Sequence, residues 1–175
     1  MTGSLAGRRG AAPRLRRLSP EELPALQRLL EACADWAWFS HGEPPSPTAA
    51  RDELSELPPG VAPEARRMFA VDAEGGELAA WIDLLRDHPA PGVWYLGTML
   101  VTPSERSRGL GSRLYRELEA WLREQGAREI RLCVFERSPE ALRFWTRLGF
   151  VHRRDVPPCR FGQRIHARRE LGKLL

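Results

Sequence analysis

The fold is decided by residues 93–112, which read VWYLGTMLV–TPSE–RSRGLGS. The first nine residues are apolar and rich in β-branched and aromatic side chains, which predicts a strand. Pro103 ends this strand because proline has no backbone N–H to donate. Gly109 and Gly111 follow, separated by one residue, where a stretch with helical periodicity begins. The sequence therefore predicts a strand, a glycine-rich turn and a helix in direct succession.

The predicted turn has the properties of an anion site. Gly109 and Gly111 let the backbone come close to a ligand, and the first N–H groups of a helix have no partner within that helix. The helix dipole and the charges of Arg106 and Arg108 add a positive field. We therefore expect this turn to hold a pyrophosphate.

Two sequence blocks narrow the choice of ligand. The chain has no Gly-Lys-Ser/Thr, which a P-loop requires, and it has two glycines here where a dinucleotide-binding turn has three. Arg-x-x-Gly-x-Gly after a strand that ends in Val-x-Pro instead resembles the acetyl-CoA loop of the GNAT acetyltransferase superfamily. The block at residues 138–150, SPEALRFWTRLGF, resembles the family's later helix that ends in Leu-Gly-Phe. The resemblance extends over residues 14–171 and implies coenzyme A as the ligand.

Length and composition predict one globular domain. The 175 residues are 42% hydrophobic and 29% charged, and no apolar run is long enough to span a bilayer. Residues 1–12 are expected to form a disordered basic tail, because glycines interrupt any helix there, and residues 13–175 to form the GNAT domain. The N-terminus lacks the apolar segment of a secretion signal.

Cysteine and charge usage argue against other classes. Cys33, Cys133 and Cys159 are too far apart to suggest a disulfide framework, and with the scattered histidines they predict no metal site. Free cysteines are typical of a reducing compartment, so we expect a cytoplasmic protein. A net charge of +4 is compatible with nucleic acid, but no basic stripe interleaved with aromatic residues is present. An anionic cofactor accounts for the charge, and we expect neither a nucleic acid nor a membrane as partner.

The N-terminal part predicts a short strand and two helices. Residues 13–18 are extended, and Ser19 begins a helix with Pro20 at its first position and Glu22 completing a capping box. Pro24 allows the regular helix to begin there instead.

An aromatic cluster follows that helix. Of Trp36, Trp38 and Phe39, two are expected in the core, and the alternative is that the cluster lines a ligand pocket. A second helix is predicted at residues 47–57. Its charges form either a solvated face or a place to which a cationic amine is drawn. They are Arg51, Asp52, Glu53 and Glu56.

The rest of the chain predicts alternating strands and helices. An acid, Asp83, stands inside an otherwise apolar strand, and Ser138 is expected to cap the last helix through its side chain. The closing strands are expected to pair through a connection at residues 157–163. The predicted strands are 67–72, 78–85, 93–101, 129–135, 151–156 and 164–171. One predicted helix opens from the glycine loop and continues past Ser112 to about residue 125, and another spans 139–148. The fold class is α/β, a GNAT fold with a mixed central sheet of six to seven strands, a splayed strand pair and about four helices.

The resemblance implies where the cosubstrate acetyl-CoA binds. Backbone groups of Met99, Leu100 and Val101 are expected to bond the pantetheine amides, and one of their N–H groups to hold the thioester oxygen. Amides from Arg108 to Ser112 are expected to hold the pyrophosphate, in agreement with the helix-terminus argument. The complete set of expected cofactor contacts is Met99, Leu100, Val101, Arg106, Ser107, Arg108, Gly109, Leu110, Gly111, Ser112, Ser138 and Trp145.

Two positions depart from the family pattern. Ser138 stands where many members have Asn, and Trp145 stands where many have a Tyr that protonates the leaving thiolate. An indole N–H donates a hydrogen bond but is no practical proton source. Tyr95 or Tyr115 can take over this role, or the proton can come from water or from the ammonium of the intermediate. For the general base, Asp83 and Glu136 are the two candidates, and a structural role for each is the alternative.

The leading hypothesis is an N-acetyltransferase that uses acetyl-CoA on a primary amine by direct attack in a ternary complex. The acceptor is a small molecule or a peptide, and the aromatic and acidic N-terminal helices favour a small cationic amine. The alternative is a catalytically degenerate domain that binds acyl-CoA as a sensor or interaction module, which the loss of Tyr at Trp145 motivates. Homodimers are common in the family, but nothing in the sequence defines an interface.

Overall fold

The computed structural model describes residues 14–175, so the tail expected at residues 1–12 lies outside the described residues. It has seven strands in one sheet and five α-helices, and short 3₁₀ turns occur at residues 20–22, 63–65 and 103–105. The strands are β1 Arg16–Arg17, β2 Arg66–Asp72, β3 Leu78–Leu85, β4 Val93–Val101, β5 Glu129–Phe135, β6 Val151–Phe161 and β7 Arg164–Leu174. The helices are α1 Leu23–Ala32, α2 Ala34–Ser40, α3 Ala49–Ser55, α4 Leu110–Glu124 and α5 Pro139–Arg147.

The sheet has the order β1-β2-β3-β4-β5-β7-β6 and is mixed. β4 and β5 run parallel, and each of the other neighbouring pairs is antiparallel. Parallel pairing begins at Val93 opposite Glu129 and ends at Leu96 opposite Leu132, although both strands continue. This divergence confirms the expected splayed pair.

A β-bulge accompanies the divergence. Asp83 of β3 is opposite Thr98, whereas Leu84 is opposite Leu96, so Gly97 is an extra residue in β4. A bulge bends its strand and increases the local twist. It lies at the point where β4 leaves β5.

Apolar clusters cover both faces of the sheet. On one face, Leu114, Leu118 and Leu122 of α4 pack over the central strands with Ile130. On the other face, a second cluster joins α1 and α3 to the sheet. The leucines of α4 recur with the helical period because this face of the helix packs in the core. No helix within residues 14–175 has the length and apolar character to cross a membrane.

Helix starts agree in part with the sequence. Ser19 and Glu22 form the predicted capping box, but the turn they begin is 3₁₀, and α1 starts at Leu23 with Pro24 in its first turn. Ser138 is the N-cap residue of α5, yet its side chain makes no capping hydrogen bond. The prediction of a side-chain cap at Ser138 was therefore wrong, because its backbone dihedral angles (φ −114°, ψ 73°) differ from the extended conformation typical of N-caps.

The C-terminal hairpin is longer than predicted. β6 and β7 meet at a two-residue turn, Gly162 and Gln163, so the connection expected at residues 157–163 was wrong. Pro157 and Pro158 lie within β6, where the pairing with β7 shifts register. β6 is an edge strand, and an edge position with a bulge tolerates residues that lack an N–H.

Candidate active site

A cavity of about 350 Å³ opens where β4 and β5 separate. Residues 97–100 of β4 and 132–135 of β5 form its two sides, and Ser138, Ala141 and Trp145 contribute from α5 and its N-cap. Beyond Leu96, the edge of β4 that faces β5 has no strand partner in the described chain. Backbone groups of Met99 and Leu100 therefore line a slot that suits an extended ligand with amide groups.

The glycine loop has the geometry of an anion site. Gly109 is the N-cap of α4 with φ +78°, and no side chain caps this end of the helix in the described chain. A Cβ atom at Gly109 would meet nothing within 4 Å, so the space above its backbone is open. The first N–H groups of α4 have no partner within the helix, and the helix dipole favours an anion there. The side chain of Arg108 is 71% exposed beside this end.

The other loop residues are placed around that opening. Ser107 adopts φ +62°, and the side chain of Leu110 is buried in the core. A Cβ atom added to Gly111 would lie 3.5 Å from the Phe144 ring of α5. Ser112 belongs to the first turn of α4, so its N–H points toward the same opening as those of its neighbours.

Arg106 faces away from the opening and binds other parts of the protein. Its Nε donates to the carbonyl of Val101 at 2.8 Å, and its guanidinium group binds both carboxylate oxygens of Asp35 in α2. This hydrogen bonding holds the pKa of Asp35 below its ordinary value. Arg106 therefore connects the loop to α2, and its charge is already matched by a carboxylate.

Trp145 forms an apolar wall of the cleft. It packs edge-on against Tyr115 and Phe150, with ring centroids 5.6 and 5.2 Å apart. Tyr115 is fully buried, and its hydroxyl has no partner among the described residues. Burial raises the pKa of Tyr115, and its side chain is not among the described residues that line the cavity.

Tyr95 is the tyrosine that reaches the cleft. It lines the cavity, and its hydroxyl donates to Sγ of Cys133 in β5 at 3.0 Å. Burial is the largest cause of the raised pKa of Tyr95, followed by the neighbouring thiol. The structure therefore brings Tyr95 to the cleft and leaves Tyr115 in the core.

Neither carboxylate expected as a base is among the described residues that line this cavity. Asp83 is buried and forms an ion pair with Arg66. Glu136 follows β5 at the surface, 3.5 Å from Arg169. The sequence indicated acids near the cleft but not the directions of their side chains, and tertiary packing turns these two away from it.

A second cavity, of about 590 Å³, lies between α1, α2, α3 and the sheet. Acidic and aromatic side chains line it, and no Lys or Arg of the described chain does so. Its acids are Glu43, Asp52, Glu53 and Glu56, and its tryptophans are Trp36 and Trp81. Trp36, His41, Glu53, Glu56, Thr98 and Leu100 line both cavities, so the two spaces are contiguous.

Among the three residues of the aromatic cluster, Trp36 is the one that lines the two cavities of the described chain. Trp36 and Trp38 are 37% and 52% exposed, and Phe39 is half-buried. The expectation that two of the three pack in the core was wrong, because α2 turns Trp36 toward the cavities and Trp38 toward the solvent. Phe39 packs against the rings of Phe135 and His166. Trp36 stacks on Phe135 with centroids 5.7 Å apart, so α2 closes over the end of β5.

Glu53 is the acid that the sequence did not single out. It is half-buried at the junction of the two cavities, and burial, with Asp83 and Glu56 nearby, raises its pKa to about 7. A bound cation would lower the pKa of Glu53 again, because a nearby positive charge favours the ionised carboxylate. The acids of α3 close to the aromatic cluster were the only sequence signal for this site.

No group of three or more side chains suited to a metal ion occurs among residues 14–175.

Comparisons with known proteins give the family and the fold. Residues 26–150 match the family model described as "Acetyltransferase (GNAT) family". The fold is similar to that of an acetyltransferase from Thermus thermophilus, with 23% identity over 94% of this chain and 98% of that chain and a TM-score of 0.75. It is also similar to a GCN5-related N-acetyltransferase from Kribbella flavida, with 20% identity over 94% and 98% and a TM-score of 0.69.

A third similar structure is a spermidine N-acetyltransferase from Vibrio cholerae in complex with CoA and spermine. The two sequences are 18% identical, and the match covers 93% of this chain and 95% of that chain with a TM-score of 0.72. At these identities the likeness shows the fold. A search of curated proteins finds no match to the chain.

Proposed function

The chain belongs to the GNAT acetyltransferase family, and from this premise we propose that it transfers the acetyl group of acetyl-CoA to a small cationic primary amine. The reaction is a direct attack in a ternary complex, and residues 13–175 act as one catalytic domain. The observation that carries the proposal is the junction of the two cavities at Glu53 and Glu56.

The first cavity is the proposed site of acetyl-CoA. Pantetheine lies between β4 and β5 and bonds backbone groups of residues 99–101, with Ser138 and Trp145 beside it. The pyrophosphate lies on the amides of residues 108–112. The unpartnered edge of β4 and the uncapped end of α4 support this placement. Arg108 is the proposed phosphate contact, because its side chain is 71% exposed and its only ion pair among the described residues is a 3.9 Å contact with Glu105. Arg106 is held by both carboxylate oxygens of Asp35.

The second cavity is the proposed site of the acceptor. Four acids and no Lys or Arg of the described chain line it, which favours a cation. Trp36, which is 37% exposed, offers an aromatic face to the ammonium group of an amine. The raised pKa of Glu53 supports the same conclusion, because an ammonium group at Glu53 stabilises its carboxylate.

The proposed chemistry needs a neutral amine at the junction. Its lone pair attacks the thioester carbon, the carbonyl π electrons move to oxygen, and a free N–H of β4 stabilises the oxyanion. The C–S bond then breaks, and CoA leaves as a thiolate. The thiolate takes one proton, for which Tyr95 is the proposed source in place of the family's tyrosine at position 145. The intermediate's nitrogen, positively charged after the attack, loses one N–H proton in the same collapse. This proton passes through water to the Tyr95 phenolate and restores its hydroxyl.

A second candidate function is an acyl-CoA-binding sensor without turnover. The observation that favours it is Trp145, whose buried ring occupies the position of the family's proton donor and has no acidic proton.

One experiment separates the two functions. Release of CoA thiol is measured with acetyl-CoA and a panel of polyamines, aminoglycosides, amino acids and short peptides, beside calorimetry with CoA. Turnover on small cationic amines is expected, and turnover on peptides alone would contradict the acceptor assignment. Binding of CoA without turnover on any amine would support the sensor, and a chain that does not bind CoA would refute both functions.

A further inference from the structure

His41 lies at the junction of the two cavities, and the proposed function above gives it no role. It follows the last residue of α2 and lines both cavities. Its Nδ1 is 2.7 Å from the hydroxyl oxygen of Ser40, which is 1% exposed. The same hydroxyl lies 2.7 Å from the carbonyl oxygen of Trp36.

These two short contacts determine the tautomer of His41. A carbonyl oxygen only accepts, so the single proton of the Ser40 hydroxyl goes to Trp36. The hydroxyl oxygen must then accept the remaining hydrogen bond, and Nδ1 of His41 must carry a proton. A neutral imidazole has one N–H, so Nε2 carries a lone pair. The ring therefore turns its donor toward Ser40 and its acceptor edge away from that buried hydroxyl.

The C-terminal hairpin holds this end of α2 in place. The backbone N–H of Gln163 donates to the carbonyl of His41 at 2.7 Å, and Nε2 of His166 lies 2.9 Å from the carbonyl of Ser40. Nε of Arg164 donates to the carbonyl of Trp38 at 3.0 Å. Three contacts from one hairpin fix the backbone that carries the imidazole. A base works best when a third group orients it, and here that group is Ser40.

We propose that Nε2 of His41 is the base that takes the proton from the acceptor's ammonium group, and that Ser40 is the positioning residue that fixes the tautomer. The assignment rests on the proposed function, because it concerns the amine that enters the second cavity. It gives separate roles to the two groups at the junction. Glu53 attracts the ammonium as its counter-ion, and His41 deprotonates it.

The proton balance is simple. The ammonium N–H bond breaks, its electron pair stays on nitrogen, and His41 becomes an imidazolium with protons on both nitrogens. The neutral amine then attacks the thioester, and the imidazolium returns its proton to solvent through the open second cavity. The titratable and charged groups around this end of α2 are Asp35, Glu43, Asp52, Glu53, Glu56, Arg164, His166 and Arg168.

The test uses two substitutions in the full chain. In His41→Asn, the side-chain amide can still donate to Ser40, but the Nε2 lone pair is lost. We expect kcat to fall by about 100-fold, the lower range for general base catalysis, with the KM values for acetyl-CoA and amine little changed. In Ser40→Ala we expect kcat to fall by about tenfold, which corresponds to the net free energy of one hydrogen bond. Added imidazole should restore part of kcat in His41→Ala.

The acceptor supplies a matched control. Trifluoroethylamine is largely uncharged at neutral pH and needs no base before attack, so His41→Asn should cost little kcat with it. An equal loss with charged and uncharged amines, or wild-type kcat in His41→Asn, would overturn the assignment. Nitrogen-15 NMR of the free enzyme should show the Nδ1–H tautomer at His41, and the Nε2–H tautomer would equally overturn it. A wild type that binds CoA but acetylates no amine would refute the proposed function as well, whereas an active His41→Asn refutes this assignment alone.

Discussion

The guanidinium group of Arg66 binds both carboxylate oxygens of Asp83, with Nε–Oδ1 and Nη2–Oδ2 distances of 2.9 and 3.1 Å. The side chains are only 12% and 9% exposed. A third bond runs from Nη1 of Arg66 to the carbonyl of Leu54, so the pair joins β2 and β3 to α3. Oδ2 of Asp83 would lie 3.3 Å from a Cβ atom at Gly97, which places the carboxylate under the bulge of β4. This arrangement supports a structural role for Asp83.

Asp83→Asn should therefore affect stability more than catalysis. Leaving the Arg66 charge without its partner is expected to lower the free energy of unfolding by about 3 kcal/mol. Urea denaturation measures this loss, and the double variant Arg66→Met/Asp83→Leu should recover much of it. Full stability together with lost turnover would instead make Asp83 the base.

Glu53→Gln should change how stability depends on pH. The pKa of Glu53 is raised to about 7 in the folded chain from an ordinary 4.5, so between these values the folded state binds more protons than the unfolded state. Stability is then lost as the pH rises through this window. The glutamine side chain has no charge to bury at high pH. The variant should therefore be more stable than the wild type by about 1–3 kcal/mol at pH 8. Denaturation at pH 4.5 and pH 8 measures it, and Glu74→Gln in an exposed turn is the control.

The same substitution should weaken binding of the amine. Loss of a charge-assisted hydrogen bond is expected to raise the KM for a cationic amine by about 10- to 100-fold. The KM for acetyl-CoA should stay at the wild-type value, because the glycine loop is untouched. Steady-state kinetics with both substrates varied measures the two constants. An unchanged amine KM would contradict the acceptor site.

Gly109→Ala should weaken CoA binding, and a matched control exists. Gly109 and Gly126 have φ values of +78° and +74°, and a Cβ on either meets nothing within 4 Å. Alanine at each position should therefore lower stability by a similar amount, about 1 kcal/mol. Only Gly109→Ala should reduce CoA affinity in calorimetry, because its methyl group enters the space above the α4 terminus. Equal affinities in both variants would refute the loop assignment.

Tyr95→Phe tests the proton donor. We expect kcat to fall by about 100-fold if the Tyr95 hydroxyl protonates the leaving thiolate, with little change in the KM for acetyl-CoA. Trp145→Tyr in that background should restore turnover, because it places a hydroxyl where the family's donor stands. Cys133→Ala is the control, since it removes the hydrogen-bond partner of Tyr95 but not its hydroxyl. A fully active Tyr95→Phe would show that the thiolate takes its proton from another source, either water or the ammonium of the intermediate.

Local sequence signals predicted most of the fold. β4 and β5 have the bounds that their apolar runs indicate, and α4 begins within a residue of Gly109. β2 and β3 also lie within one residue of their predicted bounds. The predictions that were wrong concern features that depend on the position of an element in the tertiary structure. The two prolines of β6 depend on its edge position, and the exposure of Trp36 and Trp38 depends on the direction in which α2 leaves α1.

The sequence by itself therefore determined the strand, glycine turn and helix at residues 93–112, because backbone conformation and unpaired helix N–H groups depend on neighbouring residues. Only the tertiary structure decided which side chains meet at the site. Arg106 finds Asp35 across 71 residues, and Tyr95 finds Cys133 across 38. The junction of Glu53, His41 and the cleft likewise joins distant segments. Burial and charge at such contacts arise only when packing removes the groups from water, and this decides the chemistry of a carboxylate or an imidazole.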